Sequence, residues 1–259
     1  MKSNELHIGI LGAMPEEVVE AKNHLKEIEI NRFGDLEIFT GEWTLSEKSN
    51  FKIYISLAWS GWGKVSASRA AIRLISLEID NLPKIGTIIF SGVAGAANFK
   101  LSQWDILIPY ELIQHDMDAR PIFDQFVIPA LNESRLKTNK HLVEWSSNIL
   151  KKAKSEELLN NFGDIYNGLV ATGDSFIADR ERINDLRIKL PSLQAVEMEG
   201  AAVTQVCNQE GVPCMIIRVI SDNADTNAPS NFDKFLTKYQ NSSWELIQLL
   251  LKNCMNWPI

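Results

Sequence analysis

Ala195-Val196-Glu197-Met198-Glu199-Gly200-Ala201-Ala202 puts two carboxylates one residue apart, with a methionine between them, where an apolar run gives way to a helical one. Further along, Cys214 to Ile220 reads as a buried strand. Ile217-Arg218-Val219-Ile220-Ser221-Asp222 then delivers Arg218, Ser221 and Asp222 at its carboxyl end. Strand into helix into strand is the unit of an α/β sheet, and ligands bind such sheets beyond the carboxyl ends of the strands. Two acids, one arginine and a further acid, read as lying on adjacent strand ends, suit proton transfer around a polyhydroxylated, uncharged substrate.

Outward from this stretch, strands and helices alternate. Ile8 to Gly12 is a short buried strand ending in glycine, and Pro15-Glu16-Glu17 opens a helix expected to run to about Ile28. Proline and acids suit a first helical turn. Leu36 to Thr40 and Phe51 to Leu57 alternate as strands, joined across polar residues 45–50. Gly61-Trp62-Gly63-Lys64 leads into a helix with Val65, Ala67, Ala71, Leu74 and Ile75 on its packed face. Ile85 to Ser91 and Asp105 to Pro109 are further strands, and residues 118–136 form a long connection of the kind that is often functional. Helices are expected at 138–155, 179–189 and 231–254, with a strand at Gly168 to Thr172. With no internal repeat or interdomain linker, residues 1–259 read as one α/β domain with a mostly parallel, helix-flanked sheet.

Composition narrows the partners. The chain has 259 residues, 45% hydrophobic and 23% charged, enough for a sizeable core. A net charge of −7 argues against a nucleic-acid backbone as partner, which needs a basic face. No apolar run approaches the ~20 residues that span a bilayer. The amino-terminal stretch Met1 to His7 carries no signal-peptide core, so the expected location is cytoplasmic. Cys207, Cys214 and Cys254 have no metal-ligand spacing and read as buried free thiols; no metal or cofactor is expected.

Four blocks carry a resemblance that covers roughly Ile8 to Leu236. They are Gly9-Ile10-Leu11-Gly12-Ala13-Met14-Pro15-Glu16-Glu17, Ser91-Gly92-Val93-Ala94-Gly95, Thr172-Gly173-Asp174-Ser175-Phe176-Ile177, and the pair quoted above. In this order and spacing the chain resembles the 5'-methylthioadenosine/S-adenosylhomocysteine nucleosidases of the purine nucleoside phosphorylase/uridine phosphorylase family. The resemblance implies a twisted mixed β-sheet in a three-layer α/β/α domain and a homodimer whose partner helps close the substrate pocket.

Cleaving an adenosine N-glycosidic bond leaves negative charge on the base and positive charge on the ribose. The resemblance gives Asp222 the role of acid toward purine N7, oriented by Ser221, and Glu17 that of the base that deprotonates water on the far face of the sugar. Arg218 and Glu199 would hold that water, and Glu199 would also bind the ribose hydroxyls. Each acid–base partner is typically worth ~10²–10⁴ in rate. Phe176 would stack on adenine, and the backbone of Ile177 would read its edge. Met198 would lie against the ribose, while Met14 and Phe232 would line the 5' pocket. Ala94, Gly95 and Glu197 complete the expected substrate contacts.

Plainer readings stand beside these. Glu17 is also a favourable first-turn acid on a surface helix, Glu197 a structural acid with Arg218 as its buried partner, and Asp222 an N-cap. Asp174 is expected to tie down its turn, and His115-Asp116 to support its loop rather than form a catalytic dyad.

Three departures from the family pattern stand out. Val93 replaces a small hydroxyl residue, Trp62 stands in the wall of the 5' pocket where bacterial enzymes carry an aliphatic one, and Arg120 lies in a more polar loop. Trp62 is expected to reshape the pocket, and Arg120 to reach a polar 5' substituent or remain solvated. Hydrolysis of a 5'-substituted adenosine competes with phosphorolysis on the same scaffold and with non-catalytic nucleoside binding. Glu16 and Glu17 in the Gly12 loop would repel phosphate, and the intact acids argue against mere binding.

Overall fold

The computed structural model describes residues 5–45, 51–225 and 228–258, and only the backbone of residues 229–231. The chain opens with β1 (Glu5–Gly12), α1 (Pro15–Asn23), β2 (Lys26–Phe33), β3 (Leu36–Trp43), β4 (Lys52–Trp59) and α2 (Lys64–Ile75). It continues through β5 (Thr87–Ala96), β6 (Ile106–Leu107), β7 (Glu111–Gln114), β8 (Leu136–Lys137), α3 (Lys140–Ser155) and β9 (Ile165–Tyr166). β10 (Leu169–Thr172), α4 (Arg180–Lys189), β11 (Leu193–Glu197), α5 (Gly200–Glu210), β12 (Cys214–Asp222) and α6 (Ala228–Lys252) complete it. The connection expected across residues 45–50 lies almost wholly outside the described residues.

The strands form one sheet in the order β2-β3-β4-β1-β5-β11-β10-β7-β8, with β12 beside β5 and β6, and β9 beside β6. It is mixed, as the resemblance implied, with more parallel than antiparallel ladders among the described residues. β1 is parallel to β4 and β5, and β12 to β5, but β2-β3-β4 is an antiparallel meander and β11 meets β5 antiparallel. Strand–helix alternation sees only the crossovers, whereas the meander carries no helix to announce it.

The sheet is packed on both faces because its side chains alternate. Ile8, Ile10, Ile89, Met215, Ile217 and Val219 meet Val18 and Ala21 of α1, Leu142 of α3, and Phe235, Leu246 and Leu250 of α6. Leu11, Ile88, Phe90, Ile216 and Ile220 meet Ala67, Ala71 and Leu74 of α2 and Ala201, Val203 and Cys207 of α5. Each such aliphatic side chain contributes ~1.5–3 kcal/mol on burial, which makes these two layers the main source of stability. All three cysteines are buried and free, as expected. Among the described residues no helix is long and apolar enough to cross a membrane.

One element departs from the sequence reading. The helix expected to reach Ile28 ends at Asn23, and Lys26–Phe33 is an edge strand. Ile28 continued the apolar spacing of Ala21 and Leu25 in the sequence, yet it is exposed, as is Ile30 two residues on. β2 is held by its ladder to β3 through a Gly34-Asp35 turn, with Gly34 at φ +66°. A register shift between Lys26 and Glu29 and the charges along it keep this edge from pairing further.

Candidate active site

The carboxyl ends of β1, β5, β11 and β12 open into one cleft. At the end of β1 the chain turns at Gly12, and Pro15 starts α1 so that Glu17 falls in the first turn. Glu17 is not on the surface: it is 3% exposed and folds back over its own helix start. Its Oε2 accepts the N–H groups of Ala13 at 2.6 Å and Met14 at 3.0 Å, and its Oε1 accepts the N–H of Val93 at 3.0 Å. Gly92 makes this possible, since a Cβ there would lie 2.5 Å from Glu17 Oε1 and 3.1 Å from Arg218 Nη1. Burial pushes the Glu17 carboxyl above its usual range, while the Arg218 charge and the three backbone donors pull it back.

Glu197 and Arg218 form the floor. Arg218, 1% exposed, donates to Glu197 Oε2 from Nη2 at 2.7 Å and from Nε at 3.3 Å. The same Oε2 accepts the N–H groups of Glu199 at 3.1 Å and Gly200 at 2.7 Å, and Oε1 accepts the Thr172 hydroxyl. Both Glu197 oxygens are therefore engaged, so this acid anchors the arginine and the start of α5. Arg218 also sits over the Phe90 ring, 4.0 Å from its centroid, behind the cleft wall rather than in it. Glu199 differs from Glu197: only Oε1 meets a protein donor, the Gly63 N–H at 2.8 Å. Burial first, and then the neighbouring Glu197 charge, push its carboxyl up to about 8.

Asp222 occupies the other end. A bulge between Ile220 and Asp222 breaks the alternation of β12, so Ser221 and Asp222 both face the cleft. Asp222 Oδ2 accepts the Ser221 hydroxyl at 2.6 Å and Oδ1 the Ala224 N–H at 2.7 Å. The plainer reading of Asp222 as a turn cap is thus realised, but on a carboxylate that also lines the cleft. Burial raises its pKa against those two hydrogen bonds, and nearby Asp225 raises it further.

The walls between these ends are Met14, Val93, Ala94 and Gly95 on one side and Ile177, Glu197 and Met198 on the other. The mouth is aromatic. The ring of Phe232 meets Trp62 edge-on at 6.2 Å and Phe176 edge-on at 5.7 Å, and Trp62 and Phe176 remain 52% and 40% exposed. An apolar trough with convergent carboxylates at its two ends can hold a flat base and a sugar while protons move at either side.

The phosphorylase superfamily profile matches residues 7–252. The chain is 36% identical over 248 residues to the 5'-methylthioadenosine/S-adenosylhomocysteine nucleosidase of Buchnera aphidicola subsp. Schizaphis graminum, covering 95% of this chain and 97% of the relative. The chain belongs to the phosphorylase superfamily, among its 5'-methylthioadenosine/S-adenosylhomocysteine nucleosidases. The Neisseria meningitidis nucleosidase in complex with methylthio-immucillin-A superposes with a TM-score of 0.82 at 27% identity, over 95% of this chain and 99% of that one. A Helicobacter pylori futalosine hydrolase superposes with a TM-score of 0.79 at 31% identity, over 95% and 97%.

Of the residues assigned from the nucleosidase motifs, Arg218 alone does not line the cleft, and it backs Glu197 instead. β11 and β12 are also not neighbours; β5 lies between them and pairs with both. Trp62 and Val93 stand in the wall as the family comparison implied. Arg120 does not: it is exposed, and its guanidinium is paired with Asp118 in its own loop. Asp174 ties its turn to the start of α2 by accepting the Lys64 N–H at 2.7 Å. Asp116 takes the Lys64 ammonium at 2.7 Å and the Asp174 N–H at 2.9 Å, and the His115 ring packs under Gly173, so the pair is a loop brace. Ala13, Ser175 and Val196 also line the cleft. All three lie inside the quoted blocks, but none carries an ionisable side chain that marks it chemically.

Proposed function

We propose that the chain hydrolyses the N-glycosidic bond of 5'-substituted adenosines, such as 5'-methylthioadenosine, S-adenosylhomocysteine and 5'-deoxyadenosine, to adenine and the 5'-substituted ribose. The observation that carries this reading is the cradle of Glu17. Phosphorolysis requires an anion to be held beside the sugar, and free backbone N–H groups at glycine turns are the usual means. Here the donors of Ala13, Met14 and Val93 all point to the Glu17 carboxylate. A second anion there would meet the Glu17 charge with these three donors already taken, whereas neutral water needs only the carboxylate as acceptor.

In this mechanism Asp222 protonates N7 as the bond breaks, which its raised pKa supports, with Ser221 fixing the carboxyl's rotation. Glu17 takes a proton from water. Arg218 acts through Glu197 and through its charge on Glu17 rather than by touching substrate. Glu199, protonated near neutral pH, has one oxygen facing the ribose. Phe176 and Phe232 enclose the base and the 5' group, and Trp62 narrows the 5' end. The protein acts as one domain, forms a homodimer and works in the cytoplasm. Adenine release from 5'-methylthioadenosine, with and without phosphate, tests the reading. Phosphate-independent release that disappears in Asp222→Asn is the expected result, and a requirement for phosphate would overturn it.

A further inference from the structure

Arg120 is paired with Asp118, but another arginine stands at the cleft itself. Arg182, the third residue of α4, donates from Nη2 to the Ser175 hydroxyl at 2.6 Å, and Ser175 lines the cleft. Ser175 shares its rim with Trp62. Asp174, the residue before it, accepts the Lys64 N–H at 2.7 Å, and a Cβ on Gly63 would lie 3.0 Å from Asp174 Oδ1. Phe176, the residue after it, meets Phe232, which in turn meets Trp62. The guanidinium therefore stands on the side of the mouth where a 5' substituent leaves the trough.

The charge of Arg182 is unanswered. Among the described residues every other arginine meets a carboxylate or lies over a phenylalanine ring, and Arg182 does neither. The acids that share the rim are engaged with Lys64: Asp174 accepts its N–H, and Asp116 takes its ammonium at 2.7 Å. A guanidinium has five N–H donors in a planar fork that matches a carboxylate, so one bond to a hydroxyl leaves most of the fork open. That bond also keeps an exposed side chain over the mouth, which lowers the ordering cost of binding.

We propose that Arg182, held by Ser175, is a specificity-determining residue that binds a carboxylate at the far end of the 5' substituent. The ligand class is a 5'-substituted adenosine with an acidic tail, such as S-adenosylhomocysteine, set against one with a neutral tail, such as 5'-methylthioadenosine. Base and ribose are common to these nucleosides, and the trough meets both. The tail is where they differ, and it crosses the rim. Trp62, Phe176 and Phe232 offer it apolar faces, so the charge of Arg182 is what separates an acidic tail from a neutral one.

The proposal rests on the nucleosidase reading and deepens it, but its test does not need turnover. Calorimetric titrations of Asp222→Asn, with Arg182 intact or with Arg182→Ala or Arg182→Lys added, compare three nucleosides. They are S-adenosylhomocysteine, its decarboxylated analogue, which keeps the ammonium and lacks the carboxylate, and 5'-methylthioadenosine. Arg182→Ala should weaken S-adenosylhomocysteine about 5-fold relative to 5'-methylthioadenosine, the size expected of an ion pair at an exposed rim. The decarboxylated analogue should show no such relative loss. Arg182→Lys should keep part of the preference, and the effect should shrink as salt rises. With Asp222 restored, the ratio of kcat/KM for adenine release from the same two substrates should fall by the same factor. An equal loss for all three nucleosides, or no change in their ratios, would overturn the proposal and leave Arg182 as a brace for the turn at Ser175. A carboxylate preference that depends on Arg182, in a protein that releases no adenine, would instead overturn the hydrolase reading and leave the acidic-tail site standing.

Discussion

The two ends of the cleft hold carboxylates that burial pushes in the same direction, yet the neighbours of each differ in the way the proposed opposite roles require. Glu17 has three backbone donors and a guanidinium charge, all of which favour the ionised form. Asp222 has only one hydroxyl and one N–H that favour ionisation, and the like charge of Asp225, which favours the proton. The lesson is that burial depth alone does not make an acid or a base. The count and charge of the groups facing the carboxyl set how far burial is offset at each end.

The sharpest way to break this contrast is to neutralise each end. Glu17→Gln and Asp222→Asn are each expected to lower kcat/KM for adenine release by ~10²–10⁴, seen as loss of the acidic limb in the first and of the alkaline limb in the second. If both variants lost the same limb, the assignment of acid and base would be wrong. Next comes the floor. Arg218→Met strands Glu197, a buried charge with 2.7 Å partners, and should cost ~3–5 kcal/mol of stability by chemical denaturation. Adding Glu197→Gln should restore part of that loss; failure to do so would mean that the pair is not energetically coupled.

Glu199 sharpens the comparison through pH. Its folded pKa is raised from 4.5 to about 8, so between these values the folded state binds more protons than the unfolded one. Its contribution to stability is therefore complete below pH 4.5 and lost as pH rises through 8. Glu199→Gln should flatten this decline in denaturation midpoints, and a parallel decline in the variant would contradict the assignment. The smallest effect belongs to the mouth. Trp62→Ala removes one edge-on aromatic contact, worth ~0.5–1.5 kcal/mol, and should raise KM for 5'-methylthioadenosine about 2- to 12-fold with kcat little changed.

Much of the site could be read before the fold was seen because its residues sit in four short blocks at strand ends. Glycines 12 and 92 mark close approaches there, and side-chain types reveal chemistry. Depth and pairing were less legible. Nothing in Ile217-Arg218-Val219 says that the guanidinium turns behind the wall, because that depends on a carboxylate from another strand. In the fold, β2 was misread because an edge strand stabilised by its ladder need not bury its isoleucines, and Ile28 falls in step with Ala21 and Leu25 of the preceding helix.

The Glu17 cradle also has a historical side. Glu17 Oε2 closes the start of α1, so on the proposed mechanism chemistry and helix initiation share a single side chain. A lineage drifting from water toward a phosphate nucleophile would have to vacate the cradle and find a new cap for α1 in the same step. Either change alone would leave the start of α1 uncapped or the new nucleophile facing a buried carboxylate.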